Sequence, residues 1–128
     1  MKIKSPQTLV QDALNQVKTI SASEALELSK KNECNLIDIR DAIELQKLGK
    51  IENSFHISRG LLEFSIHPES AYVQNSNLDL NKEMVLFCAA GGRSALATKT
   101  LKEMGFNNVS HVEGGFGNMS QSGFKVIK

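Results

Sequence analysis

The stretch from Met84 to Gly105 constrains this chain most: an apolar run ends at a cysteine, turns through four small residues and passes into a helical pattern. Met84-Val85-Leu86-Phe87-Cys88 has no charged or strongly polar side chain, which a strand accepts when both faces of its sheet are covered, as in parallel sheets. Ala89-Ala90-Gly91-Gly92 forms a tight loop. Arg93 to Met104 then carries Ala95, Leu96, Ala97 and Leu101 at helical spacing, and Gly105 closes the helix. Ligands of open α/β sheets bind beyond the carboxyl ends of the strands, and Cys88 stands at such an end.

The rest of the chain repeats the alternation. Ser5-Pro6 reads as cap and first residue of a helix carrying Leu9, Val10, Ala13, Leu14 and Val17. Ser21-Ala22-Ser23-Glu24 is a capping box for a second helix through Lys30 and Lys31, with Ala25, Leu26 and Leu28 inward. Asn35 to Arg40 is a short buried strand; Asp41 caps the helix carrying Ile43, Leu45 and Leu48, which ends at Gly49. Phe55-His56-Ile57 is a strand, Gly60 to Ser65 is helical and Pro68 breaks it. Glu69 to Asn81 is expected to be mostly loop, anchored by Tyr72 and Val73. Val109 to Val112 is a strand, and Gly114-Gly115 turns into a short last helix. Strand and helix in alternation predict an α/β fold, with helices on both faces of a mainly parallel sheet and right-handed crossovers. No repeat or linker divides the chain, so we expect one domain over residues 20–128, with residues 1–19 a helical extension packed on it.

Composition sets the outer limits. The chain has 128 residues, 41% of them hydrophobic and 23% charged, with a net charge of +1. That balance argues against nucleic acid or an anionic membrane as partner. No segment reaches the roughly 18 apolar residues of a membrane span, and Met1 to Val10 lacks the apolar core of a secretion signal. Two cysteines make no disulfide framework, so we expect reduced thiols in the cytoplasm.

Cys88 is the candidate nucleophile. Gly91 and Gly92 let the loop turn successive amides inward, a nest that holds an anion. The helix after the loop adds the positive end of its dipole, and Arg93 a fixed positive charge. All of these favour thiolate over thiol, and the thiolate is the nucleophilic form. The alternative is a small apolar residue ending a core strand, but packing alone gives no reason for Gly-Gly-Arg at this turn.

Several segments together resemble a known family. The Cys88-Ala89-Ala90-Gly91-Gly92-Arg93 loop looks like the active-site loop of rhodanese-like sulfurtransferases. Leu36-Ile37-Asp38-Ile39-Arg40-Asp41 with Glu44-Leu45, then Gly49 to Ile57, resembles the first family signature, and Val112-Glu113-Gly114-Gly115-Phe116 the C-terminal one. His56 to Phe64, with His67-Pro68-Glu69-Ser70, is similar to a bacterial single-domain branch. The resemblance covers Ile20 to about Met119. It implies a three-layer α/β/α fold and a persulfide cycle: Cys88 takes sulfur from a donor such as thiosulfate and passes it to a thiol, cyanide or protein acceptor. The amides of Ala89, Ala90, Gly91, Gly92 and Arg93 would hold the terminal sulfur, and no metal or organic cofactor is expected. Six residues from Cys88 to Arg93 resemble the sulfurtransferases; the related phosphatases and arsenate reductases have one more, and the seventh position here is Ser94. A partner-serving module that holds sulfur or senses redox state is the reading of a different class. Gly92 stands where this branch often has Trp, which implies a more open mouth; Asn118 and Glu52-Asn53 also depart from the pattern.

The remaining candidates have plain alternatives. Asp38 either orients groups near Cys88 or pairs with Arg40. Arg59 either lines the pocket, attracting an anionic donor, or is a surface arginine. Arg93 is expected to bind donor oxygens, against pairing with an acid. Ser94 is expected to hydrogen-bond the thiolate as well as start the helix. His56, His67 and His111 have no metal-ligand spacing, and His56 is expected to be a satisfied core histidine. Cys34 is either a resolving thiol for oxidised Cys88 or a structural one. Met84 and Met104 are expected to fill core.

Overall fold

A computed structural model describes residues 2–128. In chain order the elements are α1 (Pro6–Leu14), β1 (Lys18–Ile20), α2 (Ala22–Lys30), β2 (Cys34–Asp38), α3 (Ala42–Leu48), β3 (Lys50–Ile51), β4 (Phe55–His56) and a 3-10 turn at Arg59–Leu61. They continue with α4 (Leu62–Ile66), α5 (Ala71–Asn75), β5 (Glu83–Phe87), α6 (Gly92–Met104), β6 (Val109–Val112), α7 (Gly115–Ser120) and β7 (Val126–Ile127). Five strands form the central sheet in the order β1-β6-β5-β2-β4, and every pairing in it is parallel. β3 and β7 make a separate antiparallel pair.

The apolar run of β5 feeds two cores, one on each face of the sheet. Met84, Leu86 and Cys88 join Ile37, Ile39, Leu62, Ile66, Ala97 and Leu101, under α4 and α6. Val85 and Phe87 join Ala22, Ala25, Leu36, Phe116 and Met119, under α2 and α7. This alternation follows from the two-residue period of a strand. It gives the three layers, α/β/α, that the resemblance implies.

The caps are where the sequence puts them. Ser5 Oγ accepts from the Thr8 amide at 3.1 Å, and Ser21 and Glu24 close their box at 3.0 and 3.2 Å. Residues 69–81 are mostly loop, as expected, around the five-residue α5, whose cap, Ser70 Oγ, accepts from the Val73 amide. Two expectations need correction. Lys18 and Thr19 do not belong to a helical extension, because β1 pairs with β6 as an edge of the main sheet and runs across the 19/20 boundary. Met84 is fully buried, but Met104 is 40% exposed near the end of α6. Among the described residues no helix is long and apolar enough to cross a membrane.

Candidate active site

Cys88 directly follows β5 and is buried. Two backbone N–H groups donate to its sulfur, from Gly91 at 3.2 Å and Ser94 at 3.4 Å. Gly91 turns the chain with φ +113°, a conformation that a residue with Cβ adopts only with strain. Gly92 and Arg93 are the first two residues of α6, so their amides lie beyond any intrahelical acceptor. The cradle expected of the loop is therefore centred on Gly91 and Ser94. Ala89 and Ala90 contribute no hydrogen bond to the sulfur among those described.

The loop rests on α7. The Phe116 amide donates to the Cys88 carbonyl at 2.8 Å, and the Gly117 amide to that of Ala89 at 3.3 Å. Gly115 makes this approach possible: with φ +53°, a Cβ there would collide with the Cys88 carbonyl oxygen. Beneath Phe116 lies the Arg40 guanidinium, 3.9 Å from the ring centroid. Arg40 is fully buried and bonds Asp38 through Nε (3.0 Å) and Nη2 (2.8 Å). Its Nη2 also donates to the Gly49 carbonyl. Asp38 and Arg40 are thus a buried ion pair that supports the floor of the loop, the pairing alternative for Asp38.

Arg93 is not a free cation. Its guanidinium makes two hydrogen bonds to Glu44 of α3, at 2.8 and 2.9 Å. The Arg93 hydrogen bonds hold the Glu44 carboxyl at about 2, below the ordinary carboxylate range, and Glu44 in turn raises Arg93. Arg59 bonds Glu63 at 3.0 Å and reaches Thr100 at 3.4 Å, so its side-chain bonds lead away from the Cys88 loop. His56 is satisfied by the Arg40 carbonyl at 2.7 Å. Cys34 begins β2 opposite Glu83, whereas Cys88 lies five residues beyond Glu83, about 16 Å along the sheet. That separation excludes a disulfide in the folded chain. Burial first, and Glu83 second, push the Cys34 thiol up to about 11.

Ser94 Oγ lies 3.6 Å from the Cys88 sulfur, the contact expected of it. Two features gave no sign in the sequence. Ser94 Oγ is also 3.0 Å from His111 Nδ1, so a buried histidine of β6 reaches the site through one hydroxyl. A cavity of about 220 Å³ beside the loop is lined by Val10 and Leu14 of α1 along with Gly91, Gly92 and His111. The open mouth expected from Gly92 is therefore walled on one side by α1. No residue-level pattern signals either feature, because both depend on packing between distant elements.

Comparison with known proteins now decides the family. The model of the rhodanese-like domain matches residues 21–122. The chain belongs to the rhodanese-like family. Among solved structures, this rhodanese-like chain superposes on a Rhodopseudomonas palustris protein of unknown function, called a possible tyrosine phosphatase. Its TM-score is 0.85 and identity 35%, over 99% of this chain and 97% of that one. The polysulfide-sulfur transferase homodimer of Wolinella succinogenes gives a TM-score of 0.74 and 35% identity, over 94% and 85%. Among curated proteins, the tRNA uridine(34) hydroxylase of Anaplasma phagocytophilum is 33% identical over 88 residues, 69% of this chain and 30% of that protein. The rhodanese-like chain spans about a third of the length of such relatives.

Proposed function

We propose that this protein is a sulfurtransferase carrying sulfane sulfur on Cys88. The observation that carries the reading is the Cys88 sulfur facing the Gly91 and Ser94 amides inside a loop six residues long from Cys88 to Arg93. Such a cradle stabilises a sulfur anion before and after transfer. The Cys88 thiolate attacks the outer sulfur of thiosulfate; a sulfur–sulfur bond forms, and sulfite leaves with the electrons of the bond it loses. Cyanide or a thiolate then attacks the terminal sulfur and restores the Cys88 thiolate. The carrier is the cysteine itself, so the scheme calls for no metal or organic cofactor, and a carrier thiol that must stay reduced suits the cytoplasm. Polysulfide belongs beside thiosulfate as a donor, given the name of the Wolinella relative.

The possible phosphatase among the relatives raises a second reading. The loop from Cys88 to Arg93 has six residues, one fewer than the related phosphatases that the sequence resembles less well. That length favours sulfur over phosphate. Intact-protein mass after incubation with thiosulfate, then with cyanide, tests the proposal. The expected result is a gain of one sulfur that cyanide removes and that Cys88→Ser abolishes. No gain from thiosulfate or polysulfide, with aryl phosphate turned over instead, would overturn it.

A further inference from the structure

His111 is a buried titratable side chain that the persulfide cycle does not use. It sits on β6 opposite Thr19 of β1 and Leu86 of β5, and Leu86 shares its sheet face with Cys88. Its two ring nitrogens are both engaged, Nδ1 with Ser94 Oγ at 3.0 Å and Nε2 with Thr19 Oγ1 at 2.9 Å. Ser94 Oγ lies 3.6 Å from the Cys88 sulfur. Four side chains from β5's end, α6, β6 and β1 therefore form one continuous hydrogen-bonded chain. Its inner end is the buried sulfur. Its outer end, Thr19, is exposed and lines the same cavity as Gly91 and His111.

The hydrogen count along this chain is restrictive. Burial pushes the His111 imidazole down, so near neutral pH the ring is neutral, with one donor nitrogen and one acceptor. Glu113 is the one charged residue lining the cavity among the described residues. Lys18, next to Thr19, is turned to Glu83. With Cys88 as a thiol, Sγ–H donates to Ser94 Oγ, Ser94 donates to Nδ1, and Nε2–H donates to Thr19. With Cys88 as a thiolate, every hydrogen has moved one place: Ser94 donates to the sulfur and Nδ1–H donates to Ser94. The Gly91 carbonyl, the other partner of the Ser94 hydroxyl at 3.2 Å, also accepts from the Ala95 amide. It is not orphaned when Ser94 turns to the sulfur.

We infer that His111 and Thr19 are positioning residues that couple the protonation of Cys88 to the tautomer of His111 through Ser94. The thiol proton passes to Ser94, the Ser94 proton to Nδ1, the Nε2 proton to Thr19, and the Thr19 hydroxyl proton to water in the cavity. The Sγ–H bond breaks, an Nδ1–H bond replaces the Nε2–H bond, and His111 stays neutral throughout. The thiolate gains the Ser94 hydroxyl as a third donor beside the two amides. The inference rests on Cys88 as the attacking thiolate, but its test needs no sulfur transfer.

The test follows the pH dependence of Cys88 alkylation by iodoacetamide, read by intact mass, alongside the ¹⁵N spectrum of the His111 ring, in the full-length protein. Expected is a tautomer change from Nε2–H to Nδ1–H over the same pH range in which Cys88 becomes reactive. His111→Leu is expected to slow alkylation at pH 7 about tenfold by moving the profile upward, because the Nδ1–H that supports Ser94 as a donor to the charged sulfur is lost. His111→Asn, whose amide can donate to Ser94, should restore most of the rate. In a Ser94→Ala background, His111→Leu should have no further effect. Should His111→Leu fail to fold, Thr19→Val at the exposed end must still shift the profile upward. A ring tautomer that stays fixed across the Cys88 titration overturns the inference, as does a profile unmoved by His111→Leu and Thr19→Val. A protein that shows the tautomer change yet takes no sulfur from thiosulfate or polysulfide supports the coupling and defeats the persulfide reading.

Discussion

Glu44 decides what Arg93 offers an incoming donor. The pair joins α3 to the first turn of α6, and both side chains are partly exposed, 24% and 38%. Solvent screening therefore limits its worth to about 1 kcal/mol or less. Glu44→Gln should barely change the melting temperature at pH 7 but should free the guanidinium. The expected result is a lower KM for thiosulfate, by about threefold to tenfold, since one full opposing charge is removed, with little change for an uncharged donor. The pH dependence has a definite sign. The folded value of Glu44, about 2, lies below its ordinary 4.5, so its contribution is complete above that value and is lost as pH falls toward 2. The stability difference between wild type and Glu44→Gln should vanish in acid unfolding over that interval. The Asp38–Arg40 pair behaves differently because both side chains have no exposure. Asp38→Ala leaves an unpaired guanidinium beneath Phe116 and should cost about 3–5 kcal/mol, read by urea denaturation.

Among the elements, α7 and α1 shape the site without carrying a reacting group. α7 supplies the Phe116 and Gly117 amides that hold the Cys88 and Ala89 carbonyls, and it approaches that closely only through Gly115. Gly115→Ala should displace the loop by the width of the collision. Cys88 alkylation at pH 7 and sulfur loading should both fall by tenfold or more, with loss of stability of about 1–3 kcal/mol. α1 packs on α6 and brings Val10 to within 3.7 Å of where a Gly92 Cβ would stand. The helix thus occupies space that a side chain larger than that of Gly92 would need.

The whole molecule keeps its two cysteines apart. Cys34 and Cys88 sit at opposite ends of neighbouring parallel strands, and the Cys34 thiol stays protonated well above neutral pH. At pH 8 iodoacetamide should add a single label to the folded protein, and Cys88→Ser should add almost none. Mild peroxide should yield no Cys34–Cys88 disulfide; appearance of that disulfide in the native protein would contradict the fold. Both thiols should react once the chain is unfolded.

The local chemistry of this chain was legible in its sequence. The run from Met84 to Cys88, the small loop and the caps at Ser5 and Ser21 are set by neighbours within a few residues, where strand period, glycine conformation and capping geometry act. The Cys88 to Arg93 loop, with Leu36 to Asp41 and Val112 to Phe116, carried the family resemblance, and the alternation of strand and helix patterns carried the α/β fold. What the sequence left open needed pairing between distant segments. β1 is three residues long and exists because β6 accepts it as an edge. Arg93 looked like a free cation until α3 brought Glu44 to it. His111 looked like an ordinary strand residue until Ser94 and Thr19 closed on its two nitrogens. A hydrogen bond or ion pair between residues 17 to 92 positions apart leaves no period and no spacing to read. The tertiary structure alone decides it, because only the packed sheet and helices bring those atoms within 3 Å of each other.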